Sequence, residues 1–375
     1  MSDEHLTLLE SSADAFARIR RAQPISVRVA PFAFECDAWR DIAEQGWLST
    51  LVPESAGGLG LGVLPMTVVA RALGRAAERS PVVAVGAVAV PCLAEADDPV
   101  CARAVLDAVA EGSRVATVAW QNEHGDIDHL SPSVSAQGEG ASVRLLGTSR
   151  FVAAPSADVF IVAACEGVGL ALYMIPRDAA GLTIVAERCA DGSELTLLTL
   201  DRVRGDAGTR LVGPDRAPGV LRRAIDAGLI ATAAELVGVM DAVLEMTLEY
   251  LRTRRQFDAP IGSFQALRHR AVDVWMQREI AAAAVTAAGR RFDDPNTPED
   301  DRSAAASGAK SRAASAAMLL CNQALQLHGA MGFTEEYGLG LYLNRALTLS
   351  AWLGNAVQHR GRFAVLSPLP GVGEE

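Results

Sequence analysis

Residues 326–337 read QLHGAMGFTEEY and separate two long alanine- and leucine-rich helical patterns. Upstream, residues 254–265 read RRQFDAPIGSFQ and separate two more patterns of the same kind. The four patterns cover residues 219–253, 263–293, 301–330 and 336–366. Long helices with short connections pack antiparallel to their neighbours, so the sequence predicts a C-terminal four-helix bundle.

N-terminal to the bundle, the pattern changes from helical to β. Short apolar or alternating runs, divided by turn residues such as Asp191-Gly192, predict strands at 143–146, 158–164, 170–175, 182–185 and 195–200. We therefore expect a small antiparallel β domain over residues 113–217. Residues 1–112 form an N-terminal helical domain and residues 218–375 form the bundle. The predicted fold class is mostly α with a central β domain.

Composition narrows the possible functions. The chain has 375 residues, 50% of them hydrophobic, and a net charge of −11. An acidic chain without basic runs is a poor partner for nucleic acid or an anionic membrane. The longest apolar stretch, residues 82–90, is too short to span a bilayer, and no signal pattern begins the chain, so we expect a cytoplasmic protein. The six cysteines lack metal-ligand spacing, and no metal site is expected.

Three motifs, in this order of helices, β domain and bundle, resemble the acyl-CoA dehydrogenase family. Trp39 through Gly62 is similar to the family's first-domain segment, which ends in a proline–glutamate–double-glycine loop. Residues 254–265 resemble its "RxxF…PI…FQ" segment, and residues 326–337 resemble its "Q(L/I)HGGxGYTxE" segment. The resemblance implies FAD as cofactor and α,β-dehydrogenation of an acyl thioester such as acyl-CoA.

The resemblance also implies a binding site for the ADP half of FAD. In the family, the positions of Arg254, Gln256, Phe257, Gln326 and Gly329 hold the ADP end of a FAD that belongs mainly to a neighbouring subunit. The residue types suit this role. The arginine fork bridges phosphate oxygens, the glutamines donate and accept hydrogen bonds, and glycine permits close approach of the backbone. We call these five residues the ADP clamp.

The expected catalytic base is missing. The reaction needs a carboxylate beside the α-carbon of the thioester. In most of the family this glutamate follows an arginine by about nine residues; here the arginine is Arg345 and the position is Gly354, or Leu353 if the pairing shifts. The nearest polar residue, Asn355, is not a base.

Other members carry the base on the first bundle helix, and that position is Gly228. Asp226 lies two residues earlier, so it points elsewhere on a helix and is a weak candidate for a substitute base. Glu235 is expected to belong to packing or to a salt bridge. No catalytic residue is therefore assigned in this chain.

The flavin contacts depart from the family as well. Residues 118–126 read VAWQNEHGD and lack the threonine and serine that bind flavin and phosphate in the family. Residues 151–153 read FVA and lack the threonine that contacts the flavin ring. The chain thus keeps the ADP clamp while it loses the base and the cradle of the flavin ring.

This division favours a partner subunit of a heteromeric enzyme, in which a paralogous chain supplies base, cradle and acyl-CoA pocket. The departures resemble those of partner subunits in α2β2 acyl-CoA dehydrogenases of steroid catabolism, with FAD shared across the subunit interface. Two alternatives stay open. One is a self-contained homo-oligomeric enzyme with a non-standard base, and the other is a flavin-free structural homologue. The acyl group is not identified, and a carrier-protein thioester could replace the coenzyme A ester.

Overall fold

The structure is a computed structural model and describes residues 3–28, 30, 32–138, 143–205 and 208–367. Its N-terminal part is helical, as predicted. The helices are α1 Asp3–Ala22, α2 Ile25–Arg28, α3 Cys36–Glu44, α4 Val63–Ala76, α5 Val90–Ala94 and α6 Pro99–Ala110. A π-helical segment, Ala84–Ala89, leads directly into α5 and is buried throughout. The apolar stretch near residue 85 therefore belongs to the core of the protein.

A central sheet of eight strands follows the N-terminal helices. The strands are β1 Ala116–Ala119, β2 Ser135–Gln137, β3 Arg144–Ala153, β4 Val159–Glu166, β5 Gly169–Pro176, β6 Leu182–Arg188, β7 Glu194–Arg204 and β8 Arg210–Val212. Their order is β6-β7-β3-β2-β4-β5-β8, and β1 pairs with β4. The five strands predicted from the sequence correspond to β3 through β7.

The expectation of a wholly antiparallel sheet is corrected by β1 and β2. Both strands pair with β4 in parallel, with Ala116 opposite Val159 and Ser135 opposite Cys165. Parallel pairing requires a long crossover between the strands, and the chain between β1 and β4 is long enough to provide one. Strands of three or four residues carry too little alternation to be recognised from sequence.

The C-terminal part contains the long helices that the sequence predicts. They are α7 Ala217–Thr253, α8 Gln265–Asp293, α9 Glu299–His328, α10 Leu339–Ala351 and α11 Ala356–Leu366. Within the described residues, only α7 is long and apolar enough to cross a bilayer, and 94% of its most apolar window is buried inside the protein. Helix α7 is thus a core helix, packed on α4, α9 and the sheet.

Two glycines allow α4 and α7 to cross in direct contact. A Cβ atom at Gly238 would lie 1.9 Å from the carbonyl oxygen of Arg71, and one at Gly74 would lie 1.9 Å from the carbonyl oxygen of Glu235. No side chain fits at such distances, so glycine is required on both helices. The close crossing fixes the height of Glu235 along α7 relative to the N-terminal helices.

The prediction of one continuous fourth bundle helix over residues 336–366 is wrong. It is broken between α10 and α11, where Leu353 has a φ of +60° and Gly354 a φ of +105°. Asn355 then caps α11, since its side chain accepts from the backbone N–H groups of Val357 and Gln358. Positive φ angles end a helix, and the asparagine cap starts a new one. The break coincides with the position at which the family carries its base.

Candidate functional site

The two expected base positions lie close together, and neighbouring side chains close both of them. A Cβ atom at Gly228 would lie 2.6 Å from Cγ2 of Val88 and 3.2 Å from Cδ1 of Leu353. A Cβ atom at Gly354 would lie 2.4 Å from Cγ2 of Ile127 and 2.9 Å from Nε2 of His359. Neither glycine therefore leaves room for a carboxylate side chain. From the sequence alone we expected only that these two positions carry no carboxylate.

The loop that carries Gly354 is held by the only lysine of the chain. Lys310 is fully buried, and its Nζ donates hydrogen bonds to the carbonyl oxygens of Leu349 at 2.9 Å, Ser350 at 3.2 Å and Gly354 at 3.0 Å. Burial lowers the pKa of Lys310 to about 7. The last carbonyl groups of a helix have no hydrogen-bond partner within the helix. The lysine donates to such groups at the C-terminal end of α10.

His359, which lies on α11, holds the same loop through a hydrogen bond. Its Nε2 donates to the carbonyl oxygen of Leu353 at 2.9 Å. Burial, together with the nearby charge of Lys310, lowers the pKa of His359 to about 3, so the imidazole is neutral. A neutral histidine that donates from Nε2 holds the loop through the Leu353 carbonyl. We therefore assign it a structural role.

The space beside this loop is small. It is a cavity of about 10 Å³, hardly more than one water molecule needs. Its walls come from the π-helical segment Ala84–Ala89, from β1 and the residue after it, from β3 and from the start of the 352–355 loop: Ala84, Val88, Thr117, Val118, Trp120, Arg150, Phe151, Ala153, Trp352 and Leu353. Trp120 and Phe151 are bulky residues on the strand segments 118–126 and 151–153. This space is largely filled by the chain's own side chains.

Asp226, the weak candidate for a substitute base, has both carboxylate oxygens engaged. Oδ1 accepts from Nη1 of Arg362 at 2.8 Å, and Oδ2 accepts from the hydroxyl of Ser303. The residue is 2% exposed and does not line the cavity in front of Gly354. Burial raises the pKa of Asp226, although Arg362 opposes this. The geometry makes it part of a buried ion pair between α7, α9 and α11.

Arg345, the residue from which the base position was counted, joins two buried carboxylates. Its Nε donates to Oε1 of Glu235 at 2.9 Å, and its Nη1 donates to Oδ2 of Asp191 at 2.7 Å. Burial raises the pKa of Glu235. For Asp191 burial acts in the same direction, but the charge of Arg345 and the hydrogen bonds from Arg345 and Ser193 together lower the pKa. The cluster ties α10, α7 and the β6–β7 turn together. Glu235 thus forms a salt bridge, as the sequence predicted.

The ADP clamp lies at one end of the bundle, and the structure brings its two motifs together. The ring of Tyr250 stacks on His328 with centroids 4.5 Å apart, and its hydroxyl donates to the His328 carbonyl at 3.3 Å. Leu251, Ile261 and Leu327 form a small apolar cluster beneath the loops. The residues of the clamp itself, Arg254, Gln256, Phe257, Gln326 and Gly329, are all exposed.

The clamp residues have the free groups that a ligand needs. In the part of the chain that the structure describes, the guanidinium of Arg254 makes no hydrogen bond or ion pair. Gly329 has a φ of +59° and open space where a Cβ would lie. Phe257 is 88% exposed and stands at the tip of a two-residue hairpin turn, where it and Asp258 both have positive φ. A bulky residue is strained in that conformation, and such strain is typical of functional sites.

An apolar stripe on α8 was not singled out from the sequence. Val272, Trp275, Met276 and Ile280 recur at helical spacing, and each is between 42% and 52% exposed. One face of a helix with this spacing presents a continuous surface. The signal in the sequence was present, but periodicity does not tell an internal apolar face from an external one.

Comparison with known proteins gives concordant matches. Residues 2–113 match the sequence family "Acyl-CoA dehydrogenase, N-terminal domain", and residues 219–364 match "Acyl-CoA dehydrogenase, C-terminal domain". Acyl-CoA dehydrogenase FadE27 of Mycobacterium tuberculosis is 35% identical over 243 residues, which make up 64% of this chain and 62% of that protein. The chain thus spans less than two thirds of that relative's length.

Two solved structures are similar over nearly the whole chain. A chain of the ChsE4-ChsE5 complex from Mycobacterium tuberculosis is 28% identical, with a TM-score of 0.86 and coverage of 98% of this chain and 99% of that chain. A variant of the Tcur3481-Tcur3483 steroid ACAD is also 28% identical, with a TM-score of 0.86 and 97% coverage of both chains.

Proposed function

The chain belongs to the acyl-CoA dehydrogenase family, and we propose that it is the partner subunit of a heteromeric acyl-CoA dehydrogenase. A paralogous chain would supply the base, the cradle of the flavin ring and the acyl-thioester pocket. This chain would supply the ADP clamp. The family binds FAD, which would accept the hydride from the β-carbon of the substrate when it is bound in the complex.

The observation that carries this proposal is the closure around Gly354. A base added at that position would collide with Ile127 and His359, and Gly228 is closed by Val88 and Leu353. The runner-up, a self-contained enzyme, would need another base. Asp226 is disfavoured for that role because Arg362 and Ser303 occupy its carboxylate. A base from another chain avoids this difficulty.

The clamp supports a role in cofactor binding. Arg254 has a free planar fork that suits two phosphate oxygens, and Gln256 and Gln326 offer amide groups near it. The ring half of FAD does not fit the 10 Å³ cavity of the same chain. A FAD held by this clamp would therefore place its ring against a different subunit. Sharing one FAD between unlike chains is consistent with both observations.

The stripe on α8 supports a subunit interface. Trp275, Met276 and Ile280 expose apolar surface that a protein partner would bury. Helix α8 begins at Gln265, directly after the loop that carries Arg254, Gln256 and Phe257. The stripe on α8 therefore follows these clamp residues closely in the sequence. A partner seated on the stripe would lie next to the shared cofactor.

The related structures support the substrate class. One of them is described as a steroid ACAD and another as a complex of two named chains. By analogy with these relatives, the complex would dehydrogenate a bulky steroid-derived acyl thioester, and its most favoured assembly is α2β2 with one FAD per unlike pair.

Co-expression with a paralogous acyl-CoA dehydrogenase subunit tests the proposal. The isolated chain should be poorly flavinated and should not reduce a dye acceptor with acyl-CoA substrates. The complex should be yellow and active, with one flavin per unlike pair by native mass spectrometry and absorbance after denaturation. Turnover by the isolated chain on the order of 1 per second, a flavinated homotetramer, or four flavins in a four-chain particle would contradict the proposal. A colourless protein in both preparations would instead identify a flavin-free homologue.

A further inference from the structure

The end of the bundle that carries the ADP clamp is basic. Residues 250–271 contain five arginines and one aspartate, although the net charge of the chain is −11. All five arginines are exposed: Arg252, Arg254, Arg255, Arg268 and Arg270. Within the described residues, none of them pairs with a carboxylate, and their one side-chain hydrogen bond runs from Arg255 to the Asp258 carbonyl at 2.8 Å. We call these five arginines the basic end.

The fold brings the basic end together from α7, the clamp loop and α8. Leu251 and Ala271 belong to the same small apolar cluster, so the arginine that adjoins each of them lies at the same end of the bundle. The rings of Phe257 and Phe264 meet edge to face with centroids 6.2 Å apart, which joins the tip of the loop to the start of α8. Like charges gathered on one surface repel each other, so this arrangement lacks a counter-charge in the isolated chain.

Arg268 stands at the head of the apolar stripe on α8. It precedes Val272 by four residues and Trp275 by seven, so it lies on the same face of the helix as both. Val272 is 51% exposed and Trp275 is 49% exposed. Arg268 also ends the first turn of α8, which contains no acidic residue, and the helix dipole disfavours a cation there. The helix thus carries an unpaired cation at an unfavourable position, next to an exposed apolar surface.

The composition of this surface fits a protein partner better than a second part of the cofactor. Arg254 is the residue assigned to the pyrophosphate, whereas Arg268 lies on α8, outside both loops of the clamp. Exposed tryptophan and methionine bordered by arginine are typical of protein–protein interfaces, in which an apolar centre is surrounded by a charged rim. Charge complementarity across such an interface requires carboxylates on the surface that docks.

We propose that the basic end and the α8 stripe form one docking surface, and that the paralogous subunit meets it with an acidic face. The inference rests on the proposed heteromeric function. Carboxylates of the partner pair with Arg268 and its neighbouring arginines at the rim, and apolar side chains cover Trp275 and Met276. Opposite charges steer the encounter of the two subunits, so salt slows their association. Contact between two basic ends is repulsive, which disfavours pairing of two copies of this chain through this surface.

The association rate of the full chain with the paralogous subunit tests this inference, measured by surface plasmon resonance at about 50 mM and about 300 mM NaCl. Wild type should associate at least about tenfold faster at the lower salt concentration. Arg268→Gln removes the charge, and Arg268→Glu reverses it. At low salt the association rate should fall from wild type to Arg268→Gln and again to Arg268→Glu, by about tenfold overall. A contact that depended on packing alone would weaken equally in the two variants.

Arg291→Glu is the matched control. Arg291 is also exposed and without an ion pair in the described part of the chain, but it lies in the last turn of α8. It is about 35 Å from Arg268 at 1.5 Å per residue, so its reversal should leave the association rate at the wild-type value. Urea unfolding of the isolated chain gives a second readout. Arg268→Glu should be at least as stable as wild type, because it relieves repulsion and places an acid in the first turn of α8.

Four results would count against the docking surface or its premise. Equal association rates for wild type and Arg268→Glu, or a wild-type rate that does not change with salt, would overturn the inference. A complex of Arg268→Glu that assembles normally but loses flavin would assign the arginine to the cofactor and overturn it as well. Salt-sensitive self-association that Arg268→Glu abolishes would identify a second copy of this chain as the occupant. Absence of any complex between the wild-type chain and the paralogous subunit would instead refute the proposed heteromeric function.

Discussion

Lys310 donates a hydrogen bond from Nζ to the carbonyl oxygen of Gly354, 3.0 Å away. The chain thus uses its only lysine to fix the residue that stands where the family carries its base. The same ammonium group reaches the carbonyl groups of Leu349 and Ser350, so it holds the end of α10 and the following loop as one unit. The loop in turn places Leu353 against Gly228. Hydrogen bonds within the chain therefore hold the loop that closes this site.

We expect Lys310→Met to destabilise the protein with a characteristic pH dependence. At pH 7 the loss should be about 1–3 kcal/mol, because buried carbonyl groups lose their donor. Burial lowers the pKa of Lys310 in the folded protein to about 7, from 10.5. Between these values the unfolded chain binds a proton that the folded chain does not, so the wild-type protein gains stability as the pH rises. The difference in unfolding free energy between wild type and variant should therefore widen from pH 7 to pH 9, by up to about 1.4 kcal/mol per pH unit.

Urea unfolding at pH 7, 8 and 9 measures this difference. Ser311→Ala is the matched control, since Ser311 also donates to a backbone carbonyl in this region, that of Ala356 at 2.9 Å, and does not titrate. Its effect should be smaller and independent of pH. A difference between wild type and Lys310→Met that stays constant with pH would mean that the lysine remains charged in the folded protein throughout this range.

Restoring a glutamate at the family position should not restore a base. Gly354→Glu forces a side chain onto a backbone with a φ of +105° and brings its Cβ to 2.4 Å from Ile127. We expect a loss of about 2–4 kcal/mol in stability and no dehydrogenase activity of the isolated chain. Gly361→Glu is the control, since Gly361 lies in α11 with open space around it. That variant should be as stable as wild type or slightly more stable. A stable, active Gly354→Glu chain would show that the loop opens easily.

Comparison of sequence and structure shows which features could be predicted. The long helices were recognised because alanine and leucine recur at helical spacing over many turns, as in α7 and α9. The break at Leu353 was not recognised, because one leucine and one glycine do not interrupt the apolar pattern around them. The contact that holds the loop comes from Lys310, 44 residues before Gly354 in the chain. Strand β2 was missed because its three residues owe their pairing to β3 and β4.

For the candidate site too, single-residue identities could be read from the sequence, whereas contacts between distant elements could not. The glycine at the expected base position could be read by counting from Arg345, since identity at one position is a property of sequence. The closure of the site could not, because Ile127, Val88 and His359 come from separate elements and meet only in the folded chain.

The buried cluster at Arg345 should be a major determinant of stability. Arg345→Met removes the cation and leaves the two buried carboxylates, Glu235 and Asp191, without their shared partner. Removing one partner of a buried ion pair leaves charge uncompensated, and we expect a loss of about 3 kcal/mol by urea unfolding. Asp107→Asn breaks the exposed pair with Arg103 and should change stability by less than about 0.5 kcal/mol. Similar small losses in both variants would mean that water reaches the cluster at Arg345.

A change in the ADP clamp should weaken cofactor binding and leave the stability of the chain unchanged. Arg254→Lys keeps the positive charge and removes the planar fork, so it should lower the flavin content of the co-expressed complex, measured by absorbance after denaturation. The thermal stability of the isolated chain should not change, because the side chain is exposed and makes no hydrogen bond or ion pair within the described residues. Arg252→Lys, on the last turn of the same helix, is the control and should leave flavin content at the wild-type level. Unchanged flavin content in Arg254→Lys would remove this arginine from the clamp. A loss of flavin in both variants would mean that overall positive charge at this end of the bundle, and not the fork of Arg254, retains the cofactor.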